Sequence, residues 1–169
     1  MTDLIIVSAP LARFNGWIRH GSQQTSFNNG SGLISHYWGR KLAPEWWWIS
    51  AHQFDQEGTA VECMVFRSSL WGSFVQIPLA YLYLHQNDGS DFFTVPLIPA
   101  RVEGSPEKFQ IEINRIGREK ITLIGTGREY GDFGDRIINT LTGDLEILEG
   151  KRVIARANGT AGLERRVPA

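Results

Sequence analysis

The residues best suited to chemistry lie between positions 36 and 54, a stretch that holds four of the chain's six tryptophans. If residues 46–54 form a strand, alternate side chains share one face. That face would combine large aromatic groups with one hydroxyl and one imidazole, supplied by Trp46, Trp48, Ser50, His52 and Phe54. Apolar walls with a few placed polar groups are typical of small-molecule pockets. The stretch therefore predicts a pocket wall for an apolar ligand.

Several side chains on or near this wall could move protons. His52 and His36 can act as general acid or base near neutral pH, and Tyr37 can donate a hydrogen bond to a carbonyl. Glu62 lies in the otherwise apolar run VECMVF. Burial would raise its pKa and make it a proton donor, whereas an outward orientation would leave it solvated. His85 ranks below His52, and each residue also has a purely structural interpretation.

Neighbouring aromatic and sulfur-containing side chains extend the predicted wall. Aromatic faces stabilise cations by about 2 kcal/mol when water is excluded, so such a wall suits carbocation or polarised-polyene chemistry. It suits the simple binding of a flat conjugated ligand equally well. The predicted ligand contacts are Trp38, Trp46, Trp48, Ser50, Phe54, Met64, Phe66, Tyr81 and Tyr83, and the predicted catalytic residues are His52, His36, Tyr37 and Glu62.

Several other kinds of site lack a signal in this sequence. The four histidines show no metal-ligand spacing, and Cys63 is the single cysteine. Neither a Gly-x-Ser-x-Gly elbow nor a phosphate-binding or dinucleotide-binding motif is present. A net charge of -1 gives no footprint for nucleic acid. We therefore expect no metal, no cofactor and no nucleic-acid partner.

Short β-rich runs separated by turn residues must position these groups. No sustained helical period interrupts them, which predicts an all-β fold. The predicted strands are residues 12–20, 32–37, 46–54, 60–67, 74–85, 92–102, 109–116, 120–125, 137–147 and 152–157. The predicted turns include Asn28-Asn29-Gly30, residues 55–58, Asn87-Asp88-Gly89, Gly104-Ser105-Pro106, Glu149-Gly150 and Asn158-Gly159-Thr160.

At 169 residues, the chain is long enough for one domain and short for two. Eight to ten strands in succession predict an antiparallel lipocalin-like β-barrel over residues 1–169, with a two-sheet sandwich as the alternative. The runs VECMVF and VQIPLAYLYL are apolar on both faces, so their outer side should be covered. Residues 127–135 predict either a mobile lid or an ordinary hairpin connection.

The N-terminal sequence lacks the basic and apolar regions of a secretory signal, and no run reaches about 18 apolar residues. On these grounds we expect a cytoplasmic protein without a membrane span. The partner that these residues indicate is an apolar small molecule.

A set of aromatic and glycine positions resembles the superfamily of tocopherol cyclases, carotenoid hydratases and fungal Diels-Alder enzymes. It consists of Phe14-Asn15-Gly16-Trp17, Phe27, Trp38-Gly39, Pro44-x-Trp46-x-Trp48, Phe54 and the ending NGTAGLE. These motifs are spread along the chain from Phe14 to Glu164. The resemblance implies lipocalin-like barrels, of which relatives carry two in one chain. This chain would be a single-barrel relative, and a homodimer could supply the missing cover.

The chain departs from those relatives just before Trp38-Gly39. Many relatives have an acidic or basic residue and an asparagine there, whereas this chain has Ser35-His36-Tyr37. Their proton-initiated cyclisation does not carry over directly, although His36 corresponds to a histidine in some of them. Pericyclic chemistry needs only a folded substrate and a hydrogen bond to an activating carbonyl.

Three functions remain open from the sequence. The leading hypothesis is a cofactor-independent cyclase of secondary metabolism that acts on a terpenoid or polyketide in a tryptophan-lined pocket of the barrel, by proton-initiated or Diels-Alder-type chemistry. The alternative is a non-catalytic lipocalin-type carrier of an apolar ligand. A hydratase that adds water to an alkene comes third, because the sequence alone shows no strong acid.

Overall fold

The computed structural model describes residues 4–38, 43–70, 75–89, 91–93, 98–132, 134 and 136–167, and at 4–10, 36–38, 68–70, 75–76 and 93 it describes the backbone alone. The described residues form strands and turns and contain no helix. The strands are β1 (Leu4–His20), β2 (Gln23–Trp38), β3 (Trp46–Ala51), β4 (Ala60–Leu70), β5 (Val75–His85), β6 (Asp91–Phe93), β7 (Ile98–Gly104), β8 (Lys108–Arg115), β9 (Arg118–Thr126), β10 (Gly131–Asp132), β11 (Ile137–Glu149) and β12 (Arg152–Arg166).

Eight of these strands close into an antiparallel barrel. Their order around it is β11, β12, β3, β4, β5, β7, β8 and β9, and β9 pairs back with β11 through the register Gly125 to Leu145. β6 pairs with β5, and β10 pairs with β11. Closure pairs every barrel strand on both sides and leaves no free sheet edge. The predicted all-β, lipocalin-like barrel is confirmed.

Glycines in the left-handed region make several of the predicted turns. Gly58, Gly89 and Gly150 have φ values of 78°, 77° and 60°, which side chains with a Cβ rarely adopt. Two other predicted turns are wrong, because Asn28-Asn29-Gly30 and Asn158-Gly159-Thr160 lie inside β2 and β12. Each is a bulge that contains a residue with positive φ, with one extra residue in β2 and two in β12, and the strand continues beyond it.

The lumen of the barrel is filled with apolar side chains. Strand β8 shows the pattern, because its predicted inward residues Phe109, Ile111 and Ile113 are buried while the residues between them are partly exposed. Cys63 is completely buried in the same core. The core comprises Trp47, Ile49, Ala51, Val61, Cys63, Val65, Ala80, Leu82, Leu84, Phe109, Ile111, Ile113, Ile121, Leu123, Leu145, Ile147, Ala155, Ala157, Ala161 and Leu163, with Ile98, Ala100 and Val102 of β7 packed against it.

Strands β1 and β2 form a separate antiparallel hairpin outside the barrel. Strand β1 contacts β4 and β5, the strands whose sequence is apolar on both faces. Their outer side is covered in part, since Glu62 and Tyr81 are only 3% and 4% exposed while Met64 and Tyr83 stay partly exposed. Part of this cover comes from the chain's own hairpin, and the homodimer stays a prediction.

The connection between β9 and β11 is attached to the barrel at several described residues. Tyr130 donates a hydrogen bond to the carbonyl of Pro106, and Arg128 pairs with Asp144. These contacts support the ordinary hairpin connection over the lid. A search for membrane-crossing helices finds none in the part of the chain that the structure describes.

The filled lumen makes core truncations costly. We expect Ile111→Ala to lower the free energy of unfolding by about 2–5 kcal/mol, because Ile111 is fully buried and alanine leaves a cavity. The matched control is Ile116→Ala in the following turn, where the side chain is fully exposed and the change should stay within about 0.5 kcal/mol. Urea unfolding measures both. Similar values for the two variants would contradict the packed lumen.

Candidate functional site

The outer surface of β3, β4 and β5 gathers most of the predicted site residues. The strand register sets them in three cross-strand rows. In the first row, Trp46 pairs with Phe66. In the second row, Met64 lies between Trp48 and Tyr81. In the third row, Glu62 lies between Ser50 and Tyr83. We call these eight residues the outer face: Trp46, Trp48, Ser50, Glu62, Met64, Phe66, Tyr81 and Tyr83.

A lipocalin-like pocket inside the barrel would be lined by side chains that point into the lumen. The side chains of the outer face do not point there. The neighbours of its residues in sequence, among them Trp47, Cys63 and Leu82, belong to the lumen core. Because side chains alternate along a strand, Trp46, Trp48 and the rest of the outer face point away from the lumen. The predicted pocket inside the barrel is therefore wrong for the described residues. Alternation groups residues correctly but does not say which group points inward when both are apolar.

Phe54 does not share the outer face. Strand β3 ends at Ala51, and Phe54 packs against the lumen core. The predicted strand over residues 46–54 is three residues too long, and the two-residue alternation stops where the strand stops. Phe54 is a core residue.

Three predicted residues lie at the end of β2. The backbone of His36, Tyr37 and Trp38 pairs with Ile6, Ile5 and Leu4 of β1. Their side chains fall outside the described part of the chain. The predicted catalytic roles of His36 and Tyr37 and the ligand contact of Trp38 therefore stay predictions.

Glu62 is the most unusual group on the outer face. It is a carboxyl only 3% exposed among aromatic neighbours. The indole Nε1 of Trp48 donates to its Oε1 over 3.3 Å, and the Ser35 hydroxyl from the hairpin donates to the same carboxyl. Its Oε2 has no partner among the described residues. Burial raises the pKa of Glu62, and the two hydrogen bonds oppose this only in part.

Ser50 and His52 form a second polar group beside Glu62. The Ser50 hydroxyl and the His52 Nε2 are 2.9 Å apart. Burial lowers the pKa of His52, so its neutral form is favoured, and its Nδ1 has no partner among the described residues. The structure thus brings His52 to Ser50, in the row that carries Glu62, although β3 ends before His52.

A third polar group continues the outer side of β5. His85 Nδ1 lies 2.5 Å from Asp91 Oδ1, and the Tyr83 hydroxyl also bonds to Asp91. Burial, together with the adjacent Asp91 carboxylate, raises the pKa of Tyr83 to about 12. Sequence reasoning missed Asp91 and Ser35, because both are common polar residues that only the strand pairing brings to the site.

The three consecutive tryptophans have different surroundings. Trp46 is anchored, with its Nε1 donating to Glu164 over 2.8 Å and the Arg166 guanidinium 5.1 Å from the centre of its ring. Trp47 fills the lumen, and Arg165 stacks on it at 4.6 Å. Trp48 is only partly buried and shows no cation stacked on its ring among the described residues. Of the three, Trp48 is the one whose ring suits contact with a ligand.

No metal site accompanies these groups within the described ranges, where no three His, Cys, Asp or Glu side chains gather closely enough to hold an ion. The chemistry that the arrangement itself supports is acid–base chemistry. Burial raises the pKa of the Glu62 carboxyl and lowers the pKa of the His52 imidazole, which favours the uncharged form of each group and suits the first as a proton donor and the second as a proton acceptor.

Comparison with solved structures finds a lipocalin-like barrel at low sequence identity. Kievitone hydratase from Nectria haematococca superposes with a TM-score of 0.59 and is 12% identical over 99% of this chain. The match covers 53% of that protein, so this chain spans about half its length. Known protein families and curated proteins give no match. The likeness establishes the fold and supports the lipocalin-like part of the predicted resemblance.

Burial of Glu62 has a measurable effect on stability. Above the ordinary carboxyl pKa of 4.5, the unfolded chain releases the Glu62 proton while the folded chain retains it. The free energy of unfolding of the wild type, relative to Glu62→Gln, should therefore fall as pH rises, until the raised folded pKa is passed. The slope can reach about 1.4 kcal/mol per pH unit.

Urea unfolding of both proteins across the acidic to neutral range measures this difference. The His52 titration is present in both proteins and largely cancels from it. A difference that is flat, or that grows in favour of the wild type as pH rises, would show that the Glu62 pKa is not raised.

Proposed function

We propose that the outer face adds water to a carbon–carbon double bond of an apolar small molecule, with Glu62 as the proton donor. The observation that carries the proposal is the buried Glu62 carboxyl with a raised pKa, placed among aromatic side chains. The proton passes from Glu62 to one alkene carbon and forms a C–H bond. Water then attacks the other carbon, forms the C–O bond and releases one proton.

The hydrogen bonds of Glu62 suit proton donation. Trp48 donates to Oε1, which leaves Oε2 as the oxygen that carries the proton. An apolar site that disfavours the charged form keeps a carboxylic acid protonated to higher pH, where it can still donate its proton. The sequence left hydration in third place because it showed no strong acid, and burial of Glu62 provides a positioned proton donor in place of a strong acid.

The apolar part of the outer face would hold the substrate next to this acid. Met64 and Tyr81 continue the surface from Trp48 across three strands. The Trp48 ring can stabilise a developing carbocation through its negative face. The Arg166 guanidinium already lies over the Trp46 ring, so fewer aromatic faces are open to a delocalised polyene cation than the sequence indicates. The smaller aromatic surface favours capture of the cation by water over cyclisation.

Cyclisation is the second candidate, since it begins with the same proton transfer. A nucleophile within the substrate would then capture the cation, and the product would keep the mass of the substrate. The predicted cyclisation of a terpenoid or polyketide therefore remains as a second reaction of the same site. The name of the structural neighbour describes a hydratase, which supports placing hydration first.

The non-catalytic carrier loses its predicted pocket, because apolar side chains occupy the lumen. The carrier hypothesis then remains only as binding of a ligand to the outer face without turnover. Product analysis separates it from both enzyme functions.

The proposal is tested by incubating the chain with kievitone, the compound in the neighbour's name, and with a dimethylallyl-substituted phenol. We expect an 18-dalton gain, and a rate at least about 100-fold lower for Glu62→Gln, since a positioned acid contributes about that much or more. The rate should fall as pH rises through the raised pKa of Glu62, because only its protonated form donates.

Glu112→Gln is the matched control. Glu112 lies on β8, on another wall of the barrel, where it pairs with Lys120 at 2.5 Å, and its loss should leave the rate unchanged. An unchanged product mass with a new retention time would favour cyclisation. Absence of any product, or a Glu62→Gln rate equal to that of the wild type, would overturn the proposal.

A further inference from the structure

We propose that His85, oriented by Asp91, is the base that removes the proton from the attacking water. The inference rests on the proposed function and adds a second reacting group to it. It is carried by the geometry of β5 and β6, where His85 pairs with Asp91 across the two strands. His85 lies on the same side of β5 as Tyr81 and Tyr83, so it continues the outer face.

The contact with Asp91 fixes the orientation and the tautomer of His85. Nδ1 lies 2.5 Å from Oδ1, and an ionised carboxylate can only accept hydrogen bonds. Nδ1 therefore carries the hydrogen, and the lone pair lies on Nε2. The His85 side chain is 27% exposed, so water reaches part of the imidazole ring. A carboxylate that holds a histidine in this way prepares it as a base.

Tyr83 supports the same carboxylate. Its hydroxyl donates to Asp91, which gives this carboxylate two donors on the outer side of β5. Hydrogen bonds from two donors restrict the orientation of a carboxylate. Asp91 is thus a positioning residue, and His85 is the group that would touch the water.

The spacing between acid and base suits an intervening water. Tyr83 pairs with Glu62 and His85 pairs with Ala60, so His85 is the diagonal neighbour of Glu62 on one face. Diagonal neighbours in an antiparallel sheet lie roughly 7–8 Å apart, with their Cβ atoms somewhat closer. In inverting glycosidases the two reacting carboxyl groups are about 6.5–9.5 Å apart, which leaves room for one water between them. The methyl side chain of Ala60 takes little of this space.

His52 is less suited to the same step. Its Nε2 already interacts with Ser50, and burial lowers its pKa, which weakens it as a base. Its remaining nitrogen is buried, whereas His85 is partly exposed. We therefore place His85 ahead of His52 for water activation and leave His52 as a hydrogen-bonding group on the outer face.

The proton balance closes with these two groups. Glu62 gives one proton to the alkene, and the His85 Nε2 takes one from the water as the C–O bond forms. His85 then returns a proton to solvent, and Glu62 regains one. The net change is addition of one water molecule, without an oxidant or reductant.

Two reactions of the dimethylallyl-substituted phenol separate the roles. In deuterated water, reversible proton transfer from Glu62 puts deuterium into recovered alkene, and this exchange does not require activated water. We expect His85→Ala to retain the exchange and to lose water addition by at least about 100-fold. Added imidazole should restore part of the water addition. Asp91→Asn should lower water addition and Asp91→Glu should recover part of it.

His20→Ala is the control for removal of a histidine, because His20 lies exposed at the tip of the β1–β2 hairpin. Thermal unfolding of each variant verifies that it is folded. Water addition by His85→Ala at the wild-type rate would overturn this inference. Loss of both exchange and water addition in a folded His85→Ala variant would also overturn it. Either result would leave the proposed function in place. A wild type that neither exchanges nor adds water would overturn both.

Discussion

Side-chain alternation in a closed, filled barrel is the constraint on which the rest of the structure depends. Eight strands pair in a ring, and every second residue must point inward. Those inward positions are occupied by close-packed aliphatic and aromatic groups, including Trp47 and Leu82. Any function of the residues between the inward positions therefore belongs to the outer surface of β3, β4 and β5.

That surface is unusual because it carries apolar and titratable groups together. Water is kept from Glu62 by aromatic neighbours and by the β1–β2 hairpin, whose Ser35 reaches the carboxyl. Strand pairing fixes the spacing of Glu62 and His85 on this side of the sheet, and His52 follows the end of β3 and contacts Ser50. Strands hold reacting groups in position more precisely than loops do. The barrel thus acts as a scaffold, and its packed core provides the rigidity.

Much of the fold follows from the sequence, because strand periodicity and glycine turns are local signals. The alternation of Phe109, Ile111 and Ile113 identifies both the strand and its buried face. Local signals fail where a non-local choice decides. Asn29 and Gly159 have turn chemistry but lie in strands that continue through a bulge, because long-range pairing outweighs the local preference.

The site shows the same division. The sequence groups Trp46, Trp48 and Ser50 on one face, and the strand register brings Glu62 and Tyr83 beside them. It does not say which face is the lumen, since both are apolar. It also gives Asp91 no weight, because the contact with His85 depends on β5 pairing with β6.

A crystal structure with the dimethylallyl-substituted phenol bound would test the central claim most directly. The account predicts density for the ligand on the outer face, against Trp48 and Met64, with its double bond next to Glu62 and its far side towards His85. Density inside the barrel, with Trp47 or Leu82 displaced from the lumen, would contradict it.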